Sequence, residues 1–400
     1  MMKKFLFTLF TFLPFLSLAQ GTNFISGDWD SILKKAKAEN KIIFVDCYFE
    51  GCMPCKQMDL KVYPDKNVGD ALNKDFISFK TDVFKEDIGK RLSRKYGVHG
   101  FPSFLFITPE GHLIDQSSGF IGTTKLIDYL KQILELNKAG KFKKYTPDLN
   151  TPYPAFYDNA YMKGIRKVSA DTVNAYLSGQ DLFSEQAFNI INNFVAPDKY
   201  GEWFITNKER LVNDFGQNPV RNYMISFMSQ LSKKYATTNS DKEFEAKMAE
   251  VKSVFIGDEW DRFGKIFIDG YFKNSKNAKW YIATLEKSGL YDWIDKGKVV
   301  SEVLPLVKDD NTALTELKKW YNGHLEANAA QYDLYNAAVI NLYLKNYKEA
   351  NELFAKAKSA EKVWGITDND LVALETAIEK KDTVTFKPAK TYKVKPMMLE

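Results

Sequence analysis

The sequence predicts an α/β domain followed by an all-α domain of helical hairpins, and three observations support this fold class. Short apolar stretches alternate with amphipathic stretches between residues 24 and 137, which is typical of a sheet with helices on its faces. A segment rich in Lys, Pro and Asn follows, and apolar residues then recur at helical spacing up to about residue 381. Because the 400 residues exceed the roughly 250 to 300 that a single core serves, two domains are expected.

The chain begins with a stretch typical of a secretory signal peptide, which we assign to residues 1–19. Lys3 and Lys4 precede an apolar run, and the small residues Ser17 and Ala19 lie where a signal peptidase cleaves. A retained membrane anchor is the alternative, but polar residues and a proline interrupt the run, which is shorter than the roughly 20 apolar residues of a spanning helix. We therefore expect a periplasmic or secreted protein with no membrane span in its mature form.

The α/β domain is assigned to residues 20–140, where the pattern predicts four strands and five helical segments. The strands are short apolar stretches between turn residues, at 42–47, 77–83, 103–107 and 112–117. The helical segments are amphipathic, at 29–39, 54–63, a single turn at 68–72, 88–96 and 124–136.

Three prolines separate the two domains. Pro147, Pro152 and Pro154 lie in a segment rich in Lys and Asn, and they prevent one helix from running through it. Residues 141–167 are therefore predicted to be a linker, and the all-α domain is assigned to residues 168–381.

One part of the all-α domain resembles a known repeat. Residues 334–361 resemble one tetratricopeptide-repeat unit, whose packing positions fall on Leu334, Ala338, Ala350, Phe354 and Ala357. Asn341 departs from the repeat pattern, and no second clean copy follows at the expected period, so a regular array is not predicted. Residues 382–400 are rich in Lys and Pro and are expected to form a solvated basic tail.

Composition narrows the function classes. Hydrophobic residues make up 45% of the chain and aromatic residues 14%, which is ample for packed interiors and excludes bulk disorder. The formal net charge of +5 falls by two when Lys3 and Lys4 leave with the signal peptide, and this near balance does not indicate a nucleic-acid partner.

All the cysteines of the chain, Cys47, Cys52 and Cys55, lie within nine positions. Cys52 stands where a predicted strand gives way to a helix, over unpaired N–H groups and the positive end of the helix dipole, which favour a thiolate. Cys55 comes round to the same side of the helix and can close a disulfide with Cys52. We therefore predict a redox pair in which one thiolate attacks a substrate and the other resolves the mixed disulfide.

Two other roles for the cysteine pair are less favoured by the sequence. A zinc site would need further ligands, and the sequence offers only Cys47 and the scattered His99, His112 and His324. A structural disulfide suits an exported protein, but a three-residue span closes almost no loop and stabilises little. We expect no metal, and no cofactor other than the redox-active Cys52–Cys55 disulfide.

Two motifs resemble the thioredoxin family. The segment VDCYFEGCMPCK resembles the family's active-site segment, and KYGVHGFPSF at residues 95–104 resembles its loop with a cis-proline. The resemblance implies a thioredoxin-like fold, with a central mixed sheet flanked by helices. It also implies that Cys52 is the exposed nucleophile, that Cys55 is the resolving thiol and that Asp46 is the family's buried carboxylate.

The second motif implies a substrate groove. A cis bond before Pro102 would let the backbone of Phe101 present hydrogen-bonding groups to an extended substrate segment, as in strand addition. His99 would flank this groove, although a histidine of a solvent-facing loop is an equal alternative.

Asp46 and Cys47 lie in the apolar run IIFVDCYF. Burial of an Asp46 carboxylate there should raise its proton affinity, which suits proton transfer to and from Cys55. The alternative is a strand-end aspartate that turns towards water. Cys47 follows in the strand and points to the opposite face, where a small buried hydrophobic role is usual.

The sequence departs from the family beside the pair, where Gly51 replaces a tryptophan and Met53 replaces a glycine. Both changes leave open the direction of electron flow. We interpret the chain as an exported thiol-disulfide oxidoreductase that reduces or isomerises protein disulfides, with an upstream electron donor or acceptor protein. The alternative is a protein-binding helical scaffold whose thioredoxin-like domain serves docking.

Overall fold

The structure is a computed structural model of the chain. It describes residues 21–194, 198–290, 293–362 and 365–389. The predicted signal peptide and residues 390–400 of the predicted tail lie outside the described residues. One compact unit ends at Met224 and a second begins at Ile225. Within the described ranges, no helix combines the length and apolar character needed to span a membrane.

The first unit is built on a mixed sheet. Its described strands are β1 (Phe24–Ile25), β2 (Ile42–Tyr48), β3 (Phe76–Asp82), β4 (Ser103–Ile107) and β5 (Leu113–Ser118). Their order across the sheet is β1-β3-β2-β4-β5, in which β3 runs parallel to β1 and β2, while β4 runs antiparallel to β2 and β5. This arrangement confirms the central mixed sheet, and β2, which carries the chain towards the cysteine pair, lies at its centre.

Helices alternate with these strands along the chain. They are α1 (Trp29–Glu39), α2 (Met53–Gln57), α3 (Lys66–Asp75), α4 (Asp87–Tyr96) and α5 (Thr123–Lys138). A π-helical segment over Met58–Val62 continues α2. Side chains of β2, β4, α3 and α5 bury one apolar core that includes Phe44, Phe106, Leu72 and Leu130.

The predicted elements of the α/β domain are confirmed, with small differences at their ends. Helix α1 has the predicted bounds because Asp28 caps its first turn and Asn40 adopts a left-handed conformation after its last residue. The predicted turn at 68–72 is the middle of the longer helix α3, which the Asp65 side chain caps. Strand β1 was not predicted, since two residues are too short to show a period.

The segment expected to be a linker, residues 141–167, contains helix α6 (Ala155–Met162) and is packed. No helix crosses its prolines, but Tyr145, Tyr153 and Tyr157 are buried. The Tyr153 and Tyr157 hydroxyls donate to backbone oxygens of α4. The tyrosines supply the apolar surface that the composition of the segment did not suggest.

A buried ion pair joins α4 to helix α8 (Glu185–Phe194). The Lys95 Nζ donates to Glu185 Oε1 at 2.7 Å and to the hydroxyls of Thr146 and Thr151 at 2.6 Å each. The Lys95 side chain is 0% exposed and the Glu185 side chain 4% exposed. Burial lowers the pKa of Lys95, and Glu185 opposes that shift.

The rest of the described chain is helical. The first unit also contains α7 (Ala170–Leu177), α9 (Asp198–Thr206) and α10 (Lys208–Phe215). The division between the units falls within α11 (Gln217–Thr237). The second unit contains α12 (Asp241–Val251), α13 (Glu259–Ser275), α14 (Ala278–Ser288), α15 (Trp293–Val307), α16 (Asn311–Gly323), α17 (Gln331–Tyr343), α18 (Tyr347–Ser359) and α19 (Asp368–Lys380). Described strands occur only before residue 119, which confirms the predicted all-α character of the later chain.

Helices α17 and α18 coincide with the segment that resembles a tetratricopeptide-repeat unit. Ala338, Ala350, Phe354 and Ala357 are buried. The buried Asn341 satisfies its amide locally, since its Nδ2 donates to the Ala337 carbonyl oxygen at 2.9 Å. Assignment of the segment to that repeat family stays a prediction.

The described part of the predicted tail departs from the expectation of a solvated tail at one residue, since Val384, Thr385 and Lys387 are exposed. Phe386 is buried, and its carbonyl oxygen accepts a hydrogen bond from the Tyr343 hydroxyl at 3.1 Å. The backbone N–H of Ala389 donates to the Tyr335 hydroxyl at 3.1 Å. One aromatic side chain therefore holds a Lys- and Pro-rich segment against the helices.

Candidate active site

The cysteine pair lies at the start of helix α2, as predicted. Cys52 is the N-cap residue, and its Sγ accepts a hydrogen bond from the Cys55 backbone N–H at 3.2 Å. The two sulfurs form a disulfide. Both residues are buried, although Cys52 keeps the larger exposed fraction, 5% against 2% for Cys55. Cys52 is therefore the slightly more exposed residue of the pair, although it is buried and not the exposed residue that the resemblance implied.

The backbone conformation at position 51 explains why this chain has Gly51 where the family has tryptophan. Its φ is +90°, in the left-handed region that favours glycine. A Cβ at this position would meet no atom within 4 Å, so space does not exclude a side chain. The loop is closed by the Cys52 N–H, which donates to the Phe49 carbonyl oxygen at 3.2 Å.

Asp46 is fully buried on β2, so the alternative of a strand-end aspartate turned to water is wrong. Its Oδ2 accepts a hydrogen bond from the Tyr63 hydroxyl at 2.8 Å and lies 3.4 Å from the Lys80 Nζ. Its Oδ1 has no hydrogen-bond partner among the described residues. Burial raises the pKa of Asp46 to about 6, while the Lys80 charge and the Tyr63 hydrogen bond oppose the rise.

Asp46 lies on the face of the sheet that α2 and its π-helical continuation cover. Side chains alternate along a strand, so Asp46 shares a face with Phe44. Phe44 packs in one core with Met58 and Val62 of that helical segment. The carboxyl group therefore faces the helical segment that continues α2, the helix that carries Cys55.

Lys80, Tyr63 and Asp59 complete the surroundings of the carboxyl group and were not predicted. Lys80 lies beside Asp46 in the parallel register of β2 and β3, and its ammonium also forms an ion pair with Asp59. The Lys80 Nζ lies 4.9 Å from the centre of the Tyr48 ring. These contacts depend on strand register and on the path of the chain after α2, which leave no signal in the sequence.

The loop before β4 presents free backbone groups. The Phe101–Pro102 bond is cis, as the resemblance implied. Within the described part of the chain, neither the N–H nor the C=O of Phe101 has a hydrogen-bond partner. The Pro102 carbonyl oxygen accepts from the Gly119 N–H at 2.8 Å, which fixes the loop to the residue that follows β5. His99 is exposed, with its Nδ1 2.9 Å from the Gly97 carbonyl oxygen.

The loop that leads from β2 to Cys52, residues 49–51, is called the cysteine loop. It carries Phe49, which forms an aromatic cluster with Phe84 and Phe101. Phe101 lies 5.1 Å from Phe49 and 5.9 Å from Phe84, and Phe49 lies 5.6 Å from Phe84, measured between ring centres. Phe84 is 50% exposed. The cluster joins three loops that are far apart in the sequence, which is why sequence reasoning missed it.

Asp82, at the end of β3, holds two of these loops together. Its carboxylate accepts hydrogen bonds from the backbone N–H of Glu50 at 3.0 Å, of Phe84 at 2.8 Å and of Lys85 at 3.0 Å. Asp82 is 3% exposed, so water competes little for these bonds. The cysteine loop is thereby tied to the loop that carries Phe84.

Cys47 lies on the opposite face of β2 and is fully buried. Burial raises the pKa of its thiol well above the ordinary range, which keeps the sulfur protonated. Cys47 has the environment of a core residue rather than of a nucleophile.

Comparison with known proteins gives matches over this part of the chain. Residues 29–134 match the sequence profile of a thioredoxin-like domain. Thioredoxin H4 of Arabidopsis thaliana is 34% identical over 95 residues, which cover 23% of this chain and 71% of that protein. Thiol:disulfide interchange protein DsbD of Pseudoalteromonas atlantica is 30% identical over 110 residues, which cover 27% of this chain and 18% of that protein.

A solved structure of a thioredoxin from Thermus thermophilus is 25% identical and has a TM-score of 0.26. That match covers 28% of this chain and 88% of the Thermus protein. The chain spans less than a fifth of the length of the DsbD proteins that it matches.

Proposed function

This chain belongs to the thioredoxin family, and we propose that it exchanges disulfides with protein substrates outside the cytoplasm through Cys52 and Cys55. The observation that carries the proposal is the cysteine pair at the start of α2, with the buried Asp46 carboxyl on the strand face beneath that helix. The unpaired backbone groups of Phe101 supply a place for an extended substrate segment to pair.

The proposed disulfide exchange consists of two successive attacks by thiolates. In the reducing direction the Cys52 thiolate attacks one sulfur of a substrate disulfide, which breaks that bond, forms a mixed disulfide and releases one substrate thiol. The Cys55 sulfur then attacks the Cys52 sulfur, which releases the second substrate thiol and closes the Cys52–Cys55 disulfide. Two electrons pass to the substrate, and an upstream dithiol protein has to return two electrons to the pair.

Asp46 supplies the proton transfer of the second attack. A carboxyl group with a pKa of about 6 is mostly ionised at neutral pH, so it can accept the proton of the Cys55 thiol as that sulfur attacks. The protonated group returns the proton when the pair is reduced again. An aspartate with an ordinary pKa would be a weaker base for this step.

We propose the reducing or isomerising direction, and export is proposed from the signal-like residues 1–19. The predicted domain limits at 20–140 and 168–381 stay part of the proposal. We propose that the helical domain selects the partner protein whose disulfide the cysteine pair then reduces or isomerises.

The test is a trap for the mixed disulfide. Full-length protein with Cys55→Ser is expressed in its native host, and proteins that become disulfide-linked to Cys52 are identified. A Cys52→Ser, Cys55→Ser double variant is the control for unspecific capture. A defined set of proteins with the single variant alone supports the proposal. An empty trap, together with tight non-covalent partners of the helical domain, supports the scaffold alternative instead.

The direction of electron flow is measured in a separate experiment. The wild-type pair is equilibrated in glutathione buffers, and the oxidised fraction gives its reduction potential. A potential more negative than that of glutathione supports the reducing direction, whereas a strongly oxidising pair contradicts it.

A further inference from the structure

A cavity of about 320 Å³ lies within the first unit, beside the loop before β4 that carries Phe101. One wall comes from the thioredoxin-like domain and includes Phe84, Lys90 and Phe101. The other wall comes from the end of α6 and the residues after it, 160–166, which lie beyond the region that matches the family profile. Residues outside the thioredoxin-like domain therefore form one wall of a cavity next to the candidate active site.

The lining of the cavity is cationic. Lys90, Lys163 and Arg166 line it, and no acidic residue does. None of these three side chains forms an ion pair with a described residue. The Arg166 guanidinium lies 5.8 Å from the centre of the Phe84 ring, so an aromatic face holds this charge in place of a carboxylate. An anionic group that entered the cavity would meet uncompensated positive charge.

Ser93 of α4 also lines the cavity, but its hydroxyl group is directed into the protein interior. The residue is 2% exposed. Its Oγ has no hydrogen-bond partner among the described residues, although buried hydroxyl groups are ordinarily paired. The Oγ itself is inaccessible to solvent, so a group in the cavity does not reach it.

The aromatic cluster connects the cavity to the reactive sulfur. Phe84 and Phe101 line the cavity and contact Phe49. The Phe49 carbonyl oxygen in turn accepts the hydrogen bond from the Cys52 N–H. A substrate segment that pairs with the Phe101 backbone therefore passes both the sulfur and the mouth of the cavity.

We propose that the cavity selects protein disulfides in which an acidic residue lies a few positions from the attacked cysteine and places its carboxylate among Lys90, Lys163 and Arg166. This inference rests on the proposed function and names its substrate class. Charge complementarity favours Asp or Glu over a neutral or basic side chain at that position.

Peptide substrates test the selection. Full-length protein is reduced with dithiothreitol, freed of reductant and mixed with disulfide-linked dimers of one fluorescent decapeptide. A single Glu is moved through the positions on both sides of the cysteine, and each peptide has a Gln match. We expect one narrow range of positions at which the Glu peptide reacts about tenfold faster than its match, the sum expected for three partly exposed cations. Because salt screens exposed charges, the ratio should shrink in 0.5 M NaCl.

Variants locate the effect. Lys163→Gln with Arg166→Gln should lower the Glu-to-Gln ratio to about twofold, because Lys90 remains, and a further Lys90→Gln should bring the ratio close to one. Lys131→Gln, an exposed lysine of α5 outside the cavity, should leave the ratio unchanged. Equal rates for Glu and Gln peptides at every position, with all of them reduced, would overturn the cavity proposal and leave the proposed function standing. An unchanged ratio in the double variant would also overturn it. Failure to reduce any peptide would refute the proposed function itself.

Discussion

Replacing Asp46 with Asn should stabilise the protein at neutral pH. The pKa of the carboxyl group rises from 3.8 in the unfolded chain to about 6 in the folded chain, so folding opposes its ionisation. At about 1.4 kcal/mol per pKa unit, the ionised group costs the fold about 3 kcal/mol at pH 7. Because the folded pKa is the higher one, this cost is absent below pH 3.8, grows as the pH rises and is complete above about pH 6. Asn keeps an oxygen for the Tyr63 hydroxyl but never ionises.

Cys47 provides the assay, since it is the free cysteine of the oxidised protein and is fully buried beside Asp46. Labelling of this thiol by dithiodipyridine at increasing urea reports opening of the sheet and gives its free energy at each pH. We expect the wild type and Asp46→Asn to agree near pH 4 and to differ by about 3 kcal/mol in favour of the variant at pH 7. Asp59→Asn, which removes the partly exposed partner of Lys80, should change the opening free energy far less. Equal pH profiles for wild type and Asp46→Asn would refute the reasoning.

Three further predictions concern the residues that hold the site. Glu185→Ala should destabilise the first unit by about 3 to 5 kcal/mol in urea unfolding because it leaves the Lys95 charge buried and unpaired, whereas Lys95→Met with Glu185→Leu should cost far less. Asp82→Ala should slow peptide disulfide reduction severalfold, because it releases the two loops that the carboxylate holds. Asp82→Asn keeps an acceptor oxygen and should slow the reduction less. Equal rates for the wild type and Asp82→Ala would contradict the positioning role. Gly51→Ala should lower the free energy of unfolding by about 1 kcal/mol and the urea midpoint with it, because the φ of Gly51 is +90°, and an unchanged midpoint would contradict this prediction.

The elements and the reactive pair could be predicted because their signals are local. Apolar periodicity placed β2 and α1, and the spacing of Cys52 and Cys55 at the start of a helix predicted a disulfide. The burial of Asp46 followed from its apolar neighbours in the strand. Each of these inferences needs only residues within a few positions of one another.

The surroundings of the pair could not be predicted, since they depend on contacts between distant segments. Lys80 meets Asp46 only because β2 and β3 pair in one register, and Asp82 joins two loops that have no common pattern. The packing of residues 141–167 was missed because prolines and lysines suggested a linker, while Tyr153 and Tyr157 pack against α4. The cavity wall from that segment was missed for the same reason.

The reactivity of the Cys52 sulfur tests the central claim most directly. In reduced Cys55→Ser protein at pH 7, the rate of Cys52 alkylation by iodoacetamide is measured by mass spectrometry and compared with the same residues in an unfolded peptide. We expect the folded protein to react at least about tenfold faster, because the start of α2 favours the thiolate. An equal or slower rate in the folded protein, together with no reduction of peptide disulfides by the wild type, would contradict the account.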